Sequence, residues 1–122
     1  MATLETENLS ERRLSGPRIL DRLPSMLHFS NNSGLTLNCM ASGNPNPEVH
    51  WTTGDHLARL PDVPGLRQTL LDGQLRINPF QASEYEQRLH ATGYRCVASN
   101  QFGTVRGKLI QTRGGKVGFF SL

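Results

Sequence analysis

The sequence predicts an all-β domain, either a sandwich or a barrel, from three observations. A chain of 122 residues is long enough for one hydrophobic core and too short for two. Short runs of alternating apolar and polar residues recur along it, with turn signals between them. Seven prolines and twelve glycines are spread through the sequence rather than pooled in a repeat, which is typical of a fold with many turns.

The distribution of charge does not indicate a nucleic-acid interface. The formal net charge is +3, and eleven of the thirteen basic residues are arginine. They are scattered, and the longest basic run is Arg12-Arg13. Nucleic-acid binders usually concentrate such charge on one helix or stripe, with aromatic residues interleaved. We therefore expect no nucleic-acid partner, while weak contact with anionic glycans stays open.

The sequence contains neither a membrane span nor an export signal that we recognise. It has no run of about 18 apolar residues. The opening MATLETENLSERRL separates its leucines by polar residues, so it lacks the continuous apolar stretch of a secretory signal. We expect no direct membrane insertion by this chain, and if its family is extracellular we expect the chain to be a fragment.

The predicted domain covers residues 17–112. Residues 1–16 are polar, have no apolar period and end at Gly16-Pro17, which is typical of a flexible leader. Residues 113–122 contain a Gly-Gly break and no alternation, so we expect a frayed tail.

Two strands are predicted early in the domain. LTLNCMA, residues 35–41, alternates in the two-residue period of a strand. Its inward positions are Leu35, Leu37, Cys39 and Ala41. The prolines of GNPNP interrupt pairing, and a second strand begins near Glu48 with Val49 and Trp51 in phase.

A hairpin, a short helix and two more strands are predicted in the second half. The pair Asp72-Gly73 supplies the positive φ angles of a tight turn between residues 66 and 80, with Leu75 and Ile77 pointing inward. SEYEQRLH then predicts a short connecting helix, with Ser83 as N-cap and Glu86 as its reciprocal partner. The last two strands are TGYRCVAS and GTVRGKLIQT, which Asn-Gln-Phe-Gly joins.

Four residues of distinctive chemistry share the inward phase of their strands. Cys39 and Cys96 are the two cysteines, Trp51 follows the first by twelve positions, and Tyr94 precedes the second by two. Zinc ligation by the cysteines with a histidine is the alternative to a structural role. No histidine forms the close Cys/His pair typical of structural zinc, so we expect no metal site. The histidines considered are His28, His50, His56 and His90.

This constellation resembles the immunoglobulin sandwich, and in particular its I-set. Asn100-x-x-Gly103 before the last strand is similar to the final hairpin of that set, and ASGNPNP at 41–47 is similar to its loop before the tryptophan strand. Within the set, the chain resembles the first domain of arthropod Down syndrome cell adhesion molecules. The segments that carry this closer resemblance are HFSNNSG at 28–34, DVPGLRQ at 62–68 and ASNQFG at 98–103.

The resemblance implies two antiparallel sheets joined by a Cys39–Cys96 disulfide, and hence an oxidising compartment. It places Leu37, Trp51, Leu75, Ile77 and Tyr94 in the core. The chain departs from the set at two positions, because many I-set domains have Asp and a small residue where this chain has His90 and Thr92. The usual buried salt bridge therefore cannot form. We expect Arg67 or Arg76 to be solvated and any His90 contact to depend on pH.

The resemblance also implies a function in recognition. We expect an extracellular module of a plasma-membrane adhesion receptor whose partner is another copy of the same receptor. Binding of a different ligand, including innate immune recognition, is the main alternative, and an intracellular structural module is a weaker one. No cofactor or enzymatic activity is expected. Ser83, His90 and Asp72 could be chosen as a catalytic triad, but no recognisable motif supports that choice.

Two surfaces and two sequons are candidate sites. The first surface has the outward residues Asn38, Met40, Arg76 and Asn78, and we favour it because an exposed methionine has no structural reason there. The second has His50, Arg95 and Val97.

The sequons begin at Asn8 and Asn31, and we favour a glycan on Asn31 because it lies in a predicted exposed turn.

Overall fold

The computed structural model describes residues 13–54, 56 and 58–115. Within that part of the chain it has ten strands, one 3-10 turn and one short α-helix. The strands are β1 Ser15–Ile19, β2 Met26–Ser30, β3 Leu35–Leu37, β4 Ala41–Asn44, β5 Glu48–Thr53, β6 Arg67–Thr69, β7 Leu75–Ile77, β8 Gly93–Asn100, β9 Gly103–Arg106 and β10 Ile110–Gly115. The 3-10 turn is Ala82–Glu84, and helix α1 is Gln87–His90.

The strands form two layers. One layer is a five-stranded sheet with the order β2-β10-β8-β5, in which β9 also pairs with β8, and the other layer consists of two separate sheets, β1-β4 and β3-β7-β6. Pairing of the named strands is antiparallel except between β2 and β10. Pro24 lies where the chain crosses from β1 in one layer to β2 in the other, a position at which its missing N–H costs no ladder bond.

A disulfide between Cys39 and Cys96 joins the layers, with a Cα–Cα distance of 6.4 Å. The prediction of an all-β sandwich whose two sheets are linked by this disulfide is confirmed. The five residues expected in the core, Leu37, Trp51, Leu75, Ile77 and Tyr94, are all buried. Trp51 lies directly across from Cys96, and its indole N–H donates to the carbonyl of Gly73 over 2.7 Å. The largest core side chain therefore has no unpaired donor.

The strand predicted over residues 35–41 has the expected alternation but is broken into β3 and β4. Leu37 and Cys39 are buried, and Met40 is exposed. At the break, the backbone N–H of Met40 donates to the carboxylate of Asp21 over 2.7 Å, and its carbonyl accepts from Leu20. Leu20 and Asp21, which follow β1, thus bond to the backbone N–H and C=O of Met40 that a continuous strand would pair with its neighbour.

The hairpin predicted between residues 66 and 80 is confirmed, with β6 paired to β7 and Thr69 across from Leu75. Its loop is wider than a two-residue turn. Gly73 has a φ of 90°, whereas Asp72 does not have a positive φ. Instead, the Asp72 carboxylate accepts the backbone N–H of Gln74 over 3.1 Å, so only the glycine needs the left-handed conformation.

The predicted N-cap at Ser83 is wrong. Ser83 is exposed inside the 3-10 turn, which begins after Gln81. The backbone N–H of Gln81 donates to the Glu84 carboxylate over 2.7 Å, and the N–H of Glu84 donates to the Gln81 carbonyl over 2.8 Å. Helix α1 then begins separately, with Glu86 at its N-cap position. The chain therefore uses a Q-x-x-E spacing two residues before the S-x-x-E spacing that we favoured.

The ordered strands extend beyond the limits predicted for the domain. Ser15 of β1 pairs with Asn44, and Gly115 of β10 pairs with Ser30. These end residues of β1 and β10 are thus paired in strands, although they lie outside the limits of 17 and 112 that we expected for the domain. Of the expected leader and tail, residues 1–12 and 116–122 lie outside the described residues.

Candidate recognition surfaces and the tyrosine corner

The corner where α1 meets β8 is built around Tyr94. Its hydroxyl donates to the carbonyl of Leu89 over 2.6 Å and accepts from a guanidinium nitrogen of Arg67 over 3.1 Å. Burial raises the pKa of Tyr94, and the Arg67 contact opposes that shift. The phenol is therefore neutral. It connects helix α1 to β6, the strand that contains Arg67, and the resemblance implied such a bond from the hydroxyl to the backbone upstream.

The expectation of a solvated Arg67 is wrong, since only 6 % of its surface is exposed. Its second guanidinium nitrogen donates to the carbonyl of Pro61 over 2.9 Å, and its Cζ lies 5.8 Å from the centroid of the Tyr94 ring. These neutral groups take the place of a carboxylate. Arg76, the other arginine considered, is only half-buried.

His90 is fully buried at the same corner. Its ring stacks on Phe80 at a centroid distance of 3.8 Å and on Tyr85 at 5.5 Å. Its Nδ1 accepts the backbone N–H of Glu86 over 2.9 Å. Burial lowers the pKa of His90, and that effect outweighs the opposing influence of Glu86. The imidazole is thus neutral and helps to hold α1 in place.

The outward residues Asn38, Met40, Arg76 and Asn78 form what we call the mixed face. Three of them are held by local hydrogen bonds, and Met40 is 63 % exposed. The bonds run from Gln74 to the Asn38 side chain at 2.6 Å, from Arg76 to the hydroxyl of Thr36 at 2.8 Å and from Asn78 to the carbonyl of Gly65 at 3.1 Å. The polar members of the face are therefore oriented before any partner arrives.

Sequence reasoning missed an apolar neighbour of Met40. Leu71, at the tip of the β6–β7 loop, is fully exposed, and it lines a groove of about 520 Å³ together with Met40 and Val49. An apolar residue beside Asp-Gly was the available signal, but nothing in the sequence places the loop next to Met40. The exposed apolar surface of this face is thus larger than the sequence indicated.

The second candidate surface differs from expectation at Val97. Val97 has the outward phase but is only 6 % exposed, so it offers little surface to a partner. It lies between His50 of β5 and Arg106 of β9, directly across from both. The side chains of these two neighbours flank it on either side.

The sequon at Asn31 occupies the predicted turn, but its side chain is half-buried. The amide nitrogen donates to the carbonyl of Phe80 over 2.9 Å. The nitrogen to which a glycan would be attached is therefore hydrogen-bonded inside the fold, rather than exposed as we expected. A glycan on Asn31 stays a prediction. Asn8 lies outside the described residues.

The candidate catalytic and metal groups do not come together. His90 accepts from Glu86, whereas the Asp72 carboxylate is engaged by the backbone of Gln74. Both cysteines are in the disulfide, which removes the zinc alternative. Residues 13–54, 56 and 58–115 contain no group of three or more His, Cys, Asp or Glu side chains that could hold a metal ion. None of the helices in these ranges is long and apolar enough to cross a bilayer.

The fold, the inter-sheet disulfide and the tyrosine corner define the class of protein. Residues 17–100 match the family described as immunoglobulin domain, and the chain belongs to that family. The expected resemblance is confirmed.

The chain is similar to cell adhesion molecules. It is 44 % identical over 98 residues to cell adhesion molecule Dscam1 of Drosophila melanogaster, which covers 80 % of this chain and 5 % of the relative. It is 41 % identical over 103 residues to cell adhesion molecule Dscam2 of the same fly, covering 84 % of this chain and 5 % of the relative. The chain thus spans about a twentieth of the length of these relatives.

A solved structure agrees with this relationship. The crystal structure of the N-terminal four Ig domains of Dscam1 isoform 8.4 superimposes with a TM-score of 0.81 and 41 % sequence identity, over 84 % of this chain and 26 % of that chain. This chain is therefore an immunoglobulin module related to cell adhesion receptors.

Proposed function

We propose that this domain is an extracellular recognition module of a plasma-membrane adhesion receptor, and that it binds another copy of the same receptor. The observation that carries the proposal is the 44 % identity to a relative named as a cell adhesion molecule. The inter-sheet disulfide supports an oxidising environment and argues against an intracellular structural module.

The mixed face is the proposed contact surface. In a contact about a two-fold axis, each residue meets a counterpart, so every favourable or unfavourable substitution counts twice. Met40 supplies an exposed and adaptable apolar centre, and Leu71 extends it. Asn38, Arg76 and Asn78 are already held by hydrogen bonds, so less side-chain freedom is lost on binding.

Sedimentation equilibrium of the oxidised chain, over a wide concentration range, tests this proposal. We expect a concentration-dependent dimer, and we expect Met40→Asp or Arg76→Glu to abolish it without unfolding the domain. Met26→Asp is the matched control, because Met26 is also exposed but lies in β2 of the other layer.

Two results would contradict the proposal. A strict monomer at high concentration removes self-association by this module and leaves recognition of a different ligand. Equal loss of the dimer in the Met40 and Met26 variants places the contact away from the mixed face.

A further inference from the structure

Basic residues that are scattered in the sequence come together on the outer face of one layer. Arg106 of β9 lies directly across from Val97 of β8. Arg95 is two residues earlier in β8, so it points to the same side, away from the disulfide-bonded Cys96 between them. Arg106 is exposed and Arg95 is half-buried.

Two further basic residues continue this line along the last part of the chain. Lys108 follows Gly107, and Arg113 precedes Gly114. Both glycines face inward, because a Cβ on Gly107 would meet core atoms and a Cβ on Gly114 would meet the ring of Phe29. Arg113 is exposed within β10, so it leaves that strand on the outer side, and Lys108 is exposed in the short segment between β9 and β10. We call the set Arg95, Arg106, Lys108 and Arg113 the basic track.

Acidic residues do not neutralise the track in the described part of the chain. Glu48 has the outward phase in β5, but it is already in an ion pair with Arg59. Glu86 lies at the N-cap position of α1, and four other acidic side chains accept hydrogen bonds from backbone N–H groups. These pairs are Asp21 with Met40, Asp62 with Thr69, Asp72 with Gln74 and Glu84 with Gln81.

The track is also a line rather than a compact patch. β9 and β10 pair with successive parts of β8, which places Arg106 and Arg113 about six residues apart along that strand direction, or roughly 20 Å at about 3.3 Å per residue. A second copy meeting this face about a two-fold axis would bring cations against cations, which is unfavourable. The track is thus separate from the proposed self-association surface, and it requires a partner with repeated negative charge.

We propose that the basic track binds a sulfated polysaccharide laid along β9 and β10. Three of its four members are arginines, whose planar guanidinium groups bind anionic oxygens in pairs. A stiff polymer with anionic groups on each repeat matches a linear track. It also loses less conformational entropy than an acidic peptide that must become ordered on binding.

Heparin binding by the complete oxidised chain, at physiological salt, tests the proposal. We expect the triple variant Arg106→Glu, Lys108→Glu and Arg113→Glu to bind at least about tenfold more weakly than the unchanged chain. The control is Arg18→Glu, Arg22→Glu and Arg88→Glu, which changes the formal charge equally at exposed positions outside both the track and the mixed face. Arg95 is left intact because its Nε is buried. We expect the control to retain most of the heparin affinity.

Four results would overturn the proposal. The first is no heparin binding by the unchanged chain, and the second is an equal loss of heparin affinity in the two triple variants. The third is competition by polyglutamate that is as effective as competition by heparin. The fourth is binding to anionic phospholipid vesicles that is as tight as binding to heparin. The second would indicate a response to net charge alone, and the last two a different class of partner. If the glutamate variants do not fold, the corresponding glutamine variants provide the same comparison.

Discussion

The buried guanidinium of Arg67 donates a hydrogen bond to the hydroxyl of Tyr94 over 3.1 Å. The same hydroxyl donates to the carbonyl of Leu89 over 2.6 Å. In the described residues Arg67 has no carboxylate partner, so the phenol connects a buried cation to the helix α1. One oxygen thus satisfies polar groups from two parts of the fold.

Tyr94→Phe should destabilise the domain by about 1–3 kcal/mol, because it leaves a buried carbonyl and a buried guanidinium without this partner. Urea unfolding measures the change. A double-mutant cycle with Arg67→Met measures the interaction free energy between the two side chains. We expect the double variant to lose less stability than the sum of the losses in the two single variants. Strict additivity would contradict the coupling that the 3.1 Å contact indicates.

His90 predicts a loss of stability in acid. Burial lowers the pKa of the folded imidazole, with Arg67 acting in the same direction and Glu86 and Glu84 acting against it. The unfolded chain therefore takes up the proton more readily than the folded chain. The contribution of the neutral imidazole to the free energy of unfolding is complete above about pH 6.5 and is lost as pH falls below that value. The geometry gives the reason, since a proton on Nδ1 would meet the N–H that Glu86 already donates there.

Urea unfolding of the oxidised chain between pH 8 and pH 5 measures this effect. His90→Gln should flatten the dependence in that range, whereas His56→Gln, which changes an exposed imidazole, should leave it intact. An unchanged pH dependence in the His90 variant would show that another group is responsible.

The sequence predicted most of the fold because burial in strands follows a local rule. Alternation alone placed Leu37 and Cys39 inward and Met40 outward, and the Asp72-Gly73 pair located the hairpin. It could not predict the break at Met40, since that depends on the carboxylate of Asp21, nineteen residues away. Breaks of this kind arise from tertiary partners rather than from local preference.

The candidate sites were less predictable for the same reason. The sequence lacked a carboxylate for Arg67, and nothing in it showed that the hydroxyl of Tyr94 and the carbonyl of Pro61 would take its place. Likewise, Arg106 and Arg113 appear isolated in the sequence. Strand register and the inward glycines beside them determine that they share one face.

Reduction of the Cys39–Cys96 disulfide should weaken the fold severely. The bond joins residues 57 positions apart, and the chain-entropy estimate for a loop of that size is roughly 4 kcal/mol. Such a loss is comparable with the total stability of many small domains. Urea midpoints measured with and without reductant test this expectation, and mass spectrometry of the natively expressed protein determines whether the thiols are free. Equal midpoints, or free thiols in a fully folded domain, would remove the argument for an oxidising compartment.

Gly34 should be among the least replaceable residues of the domain. Its φ of 66° lies in the left-handed region, and a Cβ there would collide with the backbone carbonyl of Ile77 in β7. Because a backbone atom of a central strand cannot move aside like a side chain, Gly34→Ala should cost roughly 2–4 kcal/mol from conformational strain and overpacking together. Gly16→Ala in β1 is the control, since a Cβ at that position meets nothing within 4 Å. Thermal or urea unfolding of both variants provides the comparison, and similar stabilities would contradict the close approach of the turn before β3 to β7.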